Sequence, residues 1–384
     1  MVNNKDIKVE LLRIIACFMV LVYHTRRLPI LDDGSVSETA IFIECMCTIC
    51  VVTFFLISGF FIYKKDNNIF LDWWHISLSY LKTLCRAGLL MVIFSLLVHD
   101  FIVSKSTLIA CVKEADIKSL SILLIDGIKS FSVNRWPGTS AHLWYVFSYG
   151  LIILCYPITR LFLKLDKRVV YVVLILLAVL QLYDDILVYY DKWTLNRFFD
   201  YVPRPVIYSA WGHLLYNDIL AKIRKKDIEK FVIDKKVMII SIVMYVISFV
   251  GIFYMQYMYN TYVNGIHTYT AWYSIGSLTM SMALVMCVMD INIDKIFNDN
   301  IKKMIYTLGG MTLGIYMLHY PIVVKLNTML FQKMIQDTLG LNFVTQMIYV
   351  VFYNLLIFVL SILLLFVVRF VGNRCKWISA KIFS

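Results

Sequence analysis

Ile7-Lys8-Val9-Glu10-Leu11-Leu12-Arg13-Ile14-Ile15-Ala16-Cys17-Phe18-Met19-Val20-Leu21-Val22-Tyr23-His24-Thr25 decides how the rest of the chain is read. Its uninterrupted apolar run, Ile14–Tyr23, is shorter than the ~20 residues a membrane crossing takes. Basic residues before a short apolar run also suit a secretory signal. Such a signal ends at a small-residue cleavage site, and here His24, Thr25, Arg26 and Arg27 follow instead. The stretch therefore reads as a retained span over 7–29 that carries Glu10, Arg13 and His24 to or into the bilayer. Ionisable groups at that depth are costly and face a polar cavity or a partner.

Working outward, composition agrees. Of 384 residues, 60% are hydrophobic and 16% charged, with a mean hydropathy of +0.75. A soluble domain carries about 25% charged residues, and a soluble fold of this size could not hide so much apolar surface. Disordered, collagen-like and disulfide-scaffold classes are excluded on the same figures. The expectation is an all-α integral membrane protein with about ten transmembrane helices, at 7–29, 39–63, 77–98, 142–163, 169–188, 204–222, 237–259, 267–289, 305–325 and 343–368. The apolar segment at 119–125 is too short to cross and reads as interfacial or re-entrant. With both termini cytoplasmic (N-in/C-in), 25 of the 37 Lys and Arg fall on the inner side, as the positive-inside rule requires. The net charge of +12 then reflects basic loops beside anionic lipid rather than a nucleic-acid partner. The nine cysteines show no disulfide or zinc spacing and read as small buried hydrophobes. No repeat or linker divides the chain, so 1–384 reads as one polytopic domain, with the outer segment 99–141 as its lid or acceptor-binding loop. No Walker A loop, HExxH, Rossmann glycine pattern or EF-hand loop is present, and nothing calls for a metal. Asp184 and Asp185, at an outer helix end, read as solvated. Arg224-Lys225-Lys226 reads as a lipid-facing cytoplasmic cluster.

Arg13 and His24 are 11 residues apart. At ~100° per residue they lie within about 20° of one face and about 16.5 Å apart along the axis. Glu10, three residues before Arg13, is placed for an ion pair with it. This stripe suits a long anionic donor arriving from the cytosol. The Arg13 fork would hold a phosphate, and the His24 imidazole would do acid–base or nucleophilic work at the reactive end. The same spacing equally suits Arg13 snorkelling to the inner interface with His24 among the outer headgroups.

Further motifs bear on the choice. Glu10-Leu-Leu-Arg13, ten residues, then His24 resembles the opening of the acyltransferase 3 family of membrane proteins. Phe54-Phe55-Leu56-Ile57-Ser58-Gly59-Phe60 is similar to that family's second-helix segment. Tyr80-Leu81-Lys82-Thr83-Leu84-Cys85-Arg86 resembles its third-helix basic motif, without the Pro that often follows. His142-Leu143-Trp144-Tyr145-Val146 resembles its Leu-Trp-aromatic motif, and Gly314-Ile315-Tyr316-Met317-Leu318-His319 its late Gly-Ile-Tyr-x-x-His segment. Glu10 stands where Asp is usual, and no esterase-like or racemase domain follows the last span. The resemblance implies transfer of an acyl group, most often acetyl from cytosolic acetyl-CoA, to a hydroxyl of an envelope or capsular glycan or lipid-linked sugar, in a bacterial plasma membrane. It makes His24 and Arg13 the candidate catalytic pair. Arg13, Lys82 and Arg86 become a basic mouth for CoA phosphates, and His142, Trp144, Tyr145 and His319 the acceptor site. Glu10, Glu44 and Ser58 become supporting residues.

Each residue also has a plain structural reading. Lys82 and Arg86 would be interfacial anchors, Trp144 and Tyr145 an aromatic belt, and Ser58-Gly59 a packing contact, to the first helix or to the acyl chain. Glu44 would pair with an Arg or with His24. A transporter or flippase would also use intramembrane Arg and His, though the internal repeats and broken midplane helices of that class are not evident.

Overall fold

The computed structural model describes residues 6–25, 38–63, 68–94, 144–191, 203–221, 234–263, 274–326 and 342–374. These residues are almost entirely helical, with no strand among them. The chain order is α1 (Ile7–Thr25), α2 (Glu38–Cys47), α3 (Ile49–Ile62), α4 (Ile69–Phe94), α5 (Trp144–Leu154), α6 (Tyr156–Leu163), α7 (Lys167–Asp191), α8 (Pro203–Leu214), α9 (Lys235–Val263), α10 (Ile275–Asp290), α11 (Ile293–Ile296), α12 (Asp299–Gly309), α13 (Thr312–Leu326) and α14 (Phe343–Arg374). A π-helical turn, Leu215–Ile219, extends α8.

Helix occupies most of each of the ten stretches expected to span. By length and composition, however, four helices of the described residues qualify as crossings: Glu38–Ile62, Lys167–Ile186, Lys235–Tyr257 and Phe343–Val367. A fifth is reached if the bent pair α5–α6 counts as one span. The difference has a physical origin. The apolar windows of α9 and α14 are 17% and 33% buried within the protein, so they face lipid and must be apolar all round. α1 lies instead at the centre, packed on α2, α3, α10, α12, α13 and α14. A helix lined by protein tolerates charge, and α1 carries Lys8, Glu10 and Arg13. The α2–α3 window is 83% buried and is likewise interior. It is interrupted by a single turn residue, Thr48, whose hydroxyl donates to Cys45 O at 2.9 Å.

Two local features set the shape around the centre. α5 and α6 bend by 60° at Cys155. Pro157 has no N–H to offer the Ile153 carbonyl one turn back, and the indole Nε1–H of Trp73 donates to that carbonyl instead, at 2.9 Å. Backbone polar groups inside a membrane must find such partners. The second feature is the crossing of α3 and α8. A Cβ on Gly59 would stand 1.8 Å from Ser209 O, and one on Gly212 would stand 2.1 Å from Leu56 O. Two backbones touch there because neither residue has a side chain. The Ser58-Gly59 pair thus makes its close approach to α8, not to the first helix.

Buried charge pairs also tie helices of the bundle together. Arg160 and Asp72, both buried, meet at 2.8 Å, and Arg160 Nη1 also donates to Tyr156 Oη at 2.9 Å. Asp184 and Asp185 correct the sequence expectation: both are buried rather than solvated. Asp184 pairs with Arg204 at 2.7 Å. Asp185 Oδ2 accepts from Ile275 N at 2.9 Å, so it satisfies a free N–H at the start of α10 beside the N-cap Ser274. A carboxylate at a helix N-terminus is favoured by the dipole as well as by the hydrogen bond. Cys17, Cys45, Cys47 and Cys50 are buried thiols as expected, whereas Cys85 is exposed and Cys155 and Cys287 are half-buried. The segments 99–141 and 119–125 and the cluster Arg224–Lys226 lie outside the described residues.

Candidate functional site

The site begins near the N-terminal end of α1. Arg13 Nη1 donates to Glu10 Oε1 at 2.7 Å, closing the ion pair that the spacing suggests. The Glu10 carboxylate is buried, 2% exposed, while the Arg13 side chain keeps 35% of its surface open. The carboxylate fits because Gly309, at the end of α12, presents no side chain: a Cβ there would stand 2.2 Å from Glu10 Oε2. One arm of the guanidinium is thus held by Glu10, while the side chain stays partly open.

Arg13 is near enough to Tyr145 and Tyr149 of α5 for its charge to act on both. The Tyr145 hydroxyl stands close to Ser58, whose own hydroxyl donates to Phe54 O at 2.8 Å. The Tyr145 ring also lies 5.1 Å from Phe55 and 5.6 Å from Phe54, centroid to centroid. From Tyr145 the line of rings continues to α13: Tyr316 lies 5.8 Å away, and His319 lies 5.8 Å from Tyr316. His319 is fully buried and packs against His24 with ring centroids 5.2 Å apart. His24, part-exposed, is further flanked by Tyr320 at 5.0 Å and Tyr23 at 5.7 Å. The next residue, Thr25, donates to Asn354 Oδ1 of α14 at 3.0 Å, which anchors the end of α1.

An arc of hydroxyl-bearing and imidazole rings therefore runs beside one face of α1, with Arg13 at one end and His24 at the other. Such a lining offers hydrogen-bond donors and acceptors within an otherwise apolar bundle. It can receive a charged group at the Arg13 end and move a proton at the His24 end.

The structure brings Glu10, Arg13, His24, Ser58, Tyr145 and His319 into this arc. Lys82 and Arg86 are not brought to it. Lys82 is exposed, and on α4 it points about 160° away from Tyr80. It is Tyr80 that reaches α5, with its ring 6.0 Å from Tyr149 and its hydroxyl donating to Val146 O at 3.0 Å. Among the described residues no hydrogen bond or ion pair ties Lys82 or Arg86 to a residue of the arc. Glu44 is buried on α2, a helix that packs against α1. Trp144 begins α5, and His142 lies outside the described residues.

Tyr149, Tyr316 and Tyr320 were not singled out as site residues by sequence reasoning. Tyr149 follows Tyr145 at helical spacing, and Tyr316 precedes His319 by three, so each shares a face with a residue that was. Gly309, which receives Glu10, gave no signal at all in a sequence read by motif.

The model of the acyltransferase 3 family, described as an acyltransferase domain, matches residues 6–366 of the chain. No curated protein and no solved structure matches it.

Proposed function

Because the chain belongs to the acyltransferase 3 family, and so is a multi-pass membrane enzyme that transfers acyl groups, we propose that it moves an acetyl group from cytosolic acetyl-CoA to a hydroxyl of an envelope or capsular glycan or a lipid-linked sugar. The observation that carries this reading is the arc from Arg13 to His24. A guanidinium steadied by Glu10 suits a diphosphate, which its fork meets with paired hydrogen bonds. About 16.5 Å further along α1, the part-exposed imidazole of His24 stands where a long thioester arm would end.

In this reading the acceptor hydroxyl oxygen attacks the thioester carbonyl carbon while His24 takes its proton. The carbon–sulfur bond then breaks, and His24 returns the proton to the thiolate, releasing the free coenzyme thiol. The tyrosine hydroxyls of the arc supply hydrogen bonds to a sugar or to the carbonyl oxygen. Catalysis by a positioned base of this kind contributes about 10²–10⁴-fold.

The test compares wild type and His24→Ala, purified in detergent, for thioester consumption with acetyl-CoA and an envelope glycan extract. Turnover is expected to fall by about 10²–10⁴-fold while the variant still elutes as a single species. Wild-type turnover in His24→Ala removes His24 from catalysis. Accumulation of substrate in vesicles without coenzyme would point instead to transport.

A further inference from the structure

The hydroxyls nearest Tyr149 are already engaged. Ser58 donates to Phe54 O at 2.8 Å and Tyr80 to Val146 O at 3.0 Å. Tyr149 differs: among the described residues its hydroxyl makes no hydrogen bond. Its ring, by contrast, is held. Tyr149 follows Tyr145 by four residues, on the same face of α5, and the two rings stack with centroids 6.5 Å apart. Tyr80 of α4 stands 6.0 Å away. It comes so near because Gly150 has no side chain: a Cβ there would stand 2.5 Å from Tyr80 Oη. α4 and α5 thus fix the ring of a half-buried tyrosine and leave its hydroxyl without a protein partner. Inside an apolar bundle such a group is costly unless something else completes it. Arg13 is incomplete in the same way. Among the described residues its one partner is Glu10, and 35% of its side chain is open. Its charge reaches Tyr149, yet no hydrogen bond joins the two. A guanidinium only donates and a phenol has its O–H to give, so what the pair can share is an acceptor, and an anionic oxygen serves both best.

We propose that Tyr149 is a donor-binding residue: its hydroxyl and the Arg13 guanidinium grip one phosphate of the coenzyme between them. The inference rests on the acyl-transfer reading above and deepens it by naming a second residue that holds the donor. The guanidinium supplies charge and paired donors, and the phenol adds a hydrogen bond from a second helix. A phosphate held from α1 and from α5 has its place along the arc set from two directions, where Arg13 alone would let it swing. From Tyr149 the rings continue through Tyr145 and Tyr316 to His319, so the rest of the coenzyme is led along the arc toward His24. Tyr80 contributes by steadying the Tyr149 ring, and Gly150 by giving Tyr80 room to do so.

The test is isothermal titration of full-length protein in detergent with coenzyme A and with pantetheine, which has the same thiol arm and no phosphate. Tyr149→Phe keeps the ring and its stacking and removes the hydroxyl alone. It is expected to weaken coenzyme A binding about tenfold or more, the scale of a lost hydrogen bond to a charged group, and to leave pantetheine binding as in wild type. The double variant Arg13→Ala/Tyr149→Phe is expected to lose less than the product of the two single losses, because both residues act on one phosphate. Wild-type affinity for coenzyme A in Tyr149→Phe, an equal loss toward pantetheine, or single losses that multiply in full overturns the proposal while leaving acyl transfer intact. Wild-type protein that binds no coenzyme A overturns the donor reading itself, and this proposal with it. Should Tyr149→Phe not elute as a single species, 3-fluorotyrosine placed at position 149 of otherwise wild-type protein decides. A fluorine resonance that coenzyme A leaves in place, or that pantetheine moves as far, overturns the proposal.

Discussion

At the scale of single residues, Glu10 and Arg13 divide one task. The buried carboxylate holds one guanidinium nitrogen at 2.7 Å, and in the proposed reading the rest of the fork takes the coenzyme phosphates. Arg13→Ala is expected to raise KM for acetyl-CoA about tenfold or more, and Arg13→Lys to recover little of it, because a point charge cannot reproduce a two-pronged contact. Unchanged coenzyme affinity in Arg13→Ala, read by isothermal titration, would remove Arg13 from the donor site. Gly309→Ala would place a methyl 2.2 Å from Glu10 Oε2. It is expected to lower both thermal stability and donor affinity, since the carboxylate cannot stay seated behind Arg13. Much of this was legible in the sequence: the shared face of Arg13 and His24 and the Glu10–Arg13 pair both follow from 3.6 residues per turn. Tyr149, Tyr316 and Tyr320 were not, because they arrive on other helices and no local spacing reports a tertiary neighbour. Asp184 was misread for the same reason, since its partner Arg204 lies on a different helix.

At the scale of elements, the α3–α8 crossing and the α4–α6 ion pair shape the wall that carries Tyr145. Gly59→Ala and Gly212→Ala each force a methyl into a backbone carbonyl at 1.8 and 2.1 Å. Overpacking of this kind costs about 1–3 kcal/mol and is expected as a lowered Tm in detergent, larger than for Gly251→Ala, where a Cβ meets nothing within 4 Å. Arg160→Met alone leaves Asp72 as an uncompensated buried charge and is expected to cost about 3–5 kcal/mol. The double variant Arg160→Met/Asp72→Leu should regain most of that. Equal destabilisation in the single and double variants would mean that the pair contributes through packing and not through charge. The motif Ser58-Gly59 was visible in the sequence, but which helix it meets was not, because small residues announce close approach without naming the partner.

At the scale of the whole molecule, the helical class and the approximate place of each helix could be read from hydropathy. The number of crossings could not be fixed in the same way. Hydropathy reports helices that face lipid, such as α7, α9 and α14, and understates those that face protein, such as α1. Reporter fusions after residues 65, 165 and 384 are expected to lie on the cytoplasmic side and one after residue 265 on the outer side, as ten crossings require. An outer reading at residue 384 would mean an odd number.

The central placing of α1 also bears on how the protein is made. α1 precedes every other described helix in the chain, yet the residue that encloses Glu10, Gly309, belongs to α12, and the residue that ties down Thr25, Asn354, belongs to α14. A ribosome would thus deliver a charged helix to the insertion machinery long before its final neighbours exist. That helix has to wait at the translocon, or beside a chaperone, until the last third of the polypeptide closes around it. Chains cut short before Asp299 should be cleared by membrane proteases rather than accumulate, a result that pulse–chase labelling would reveal.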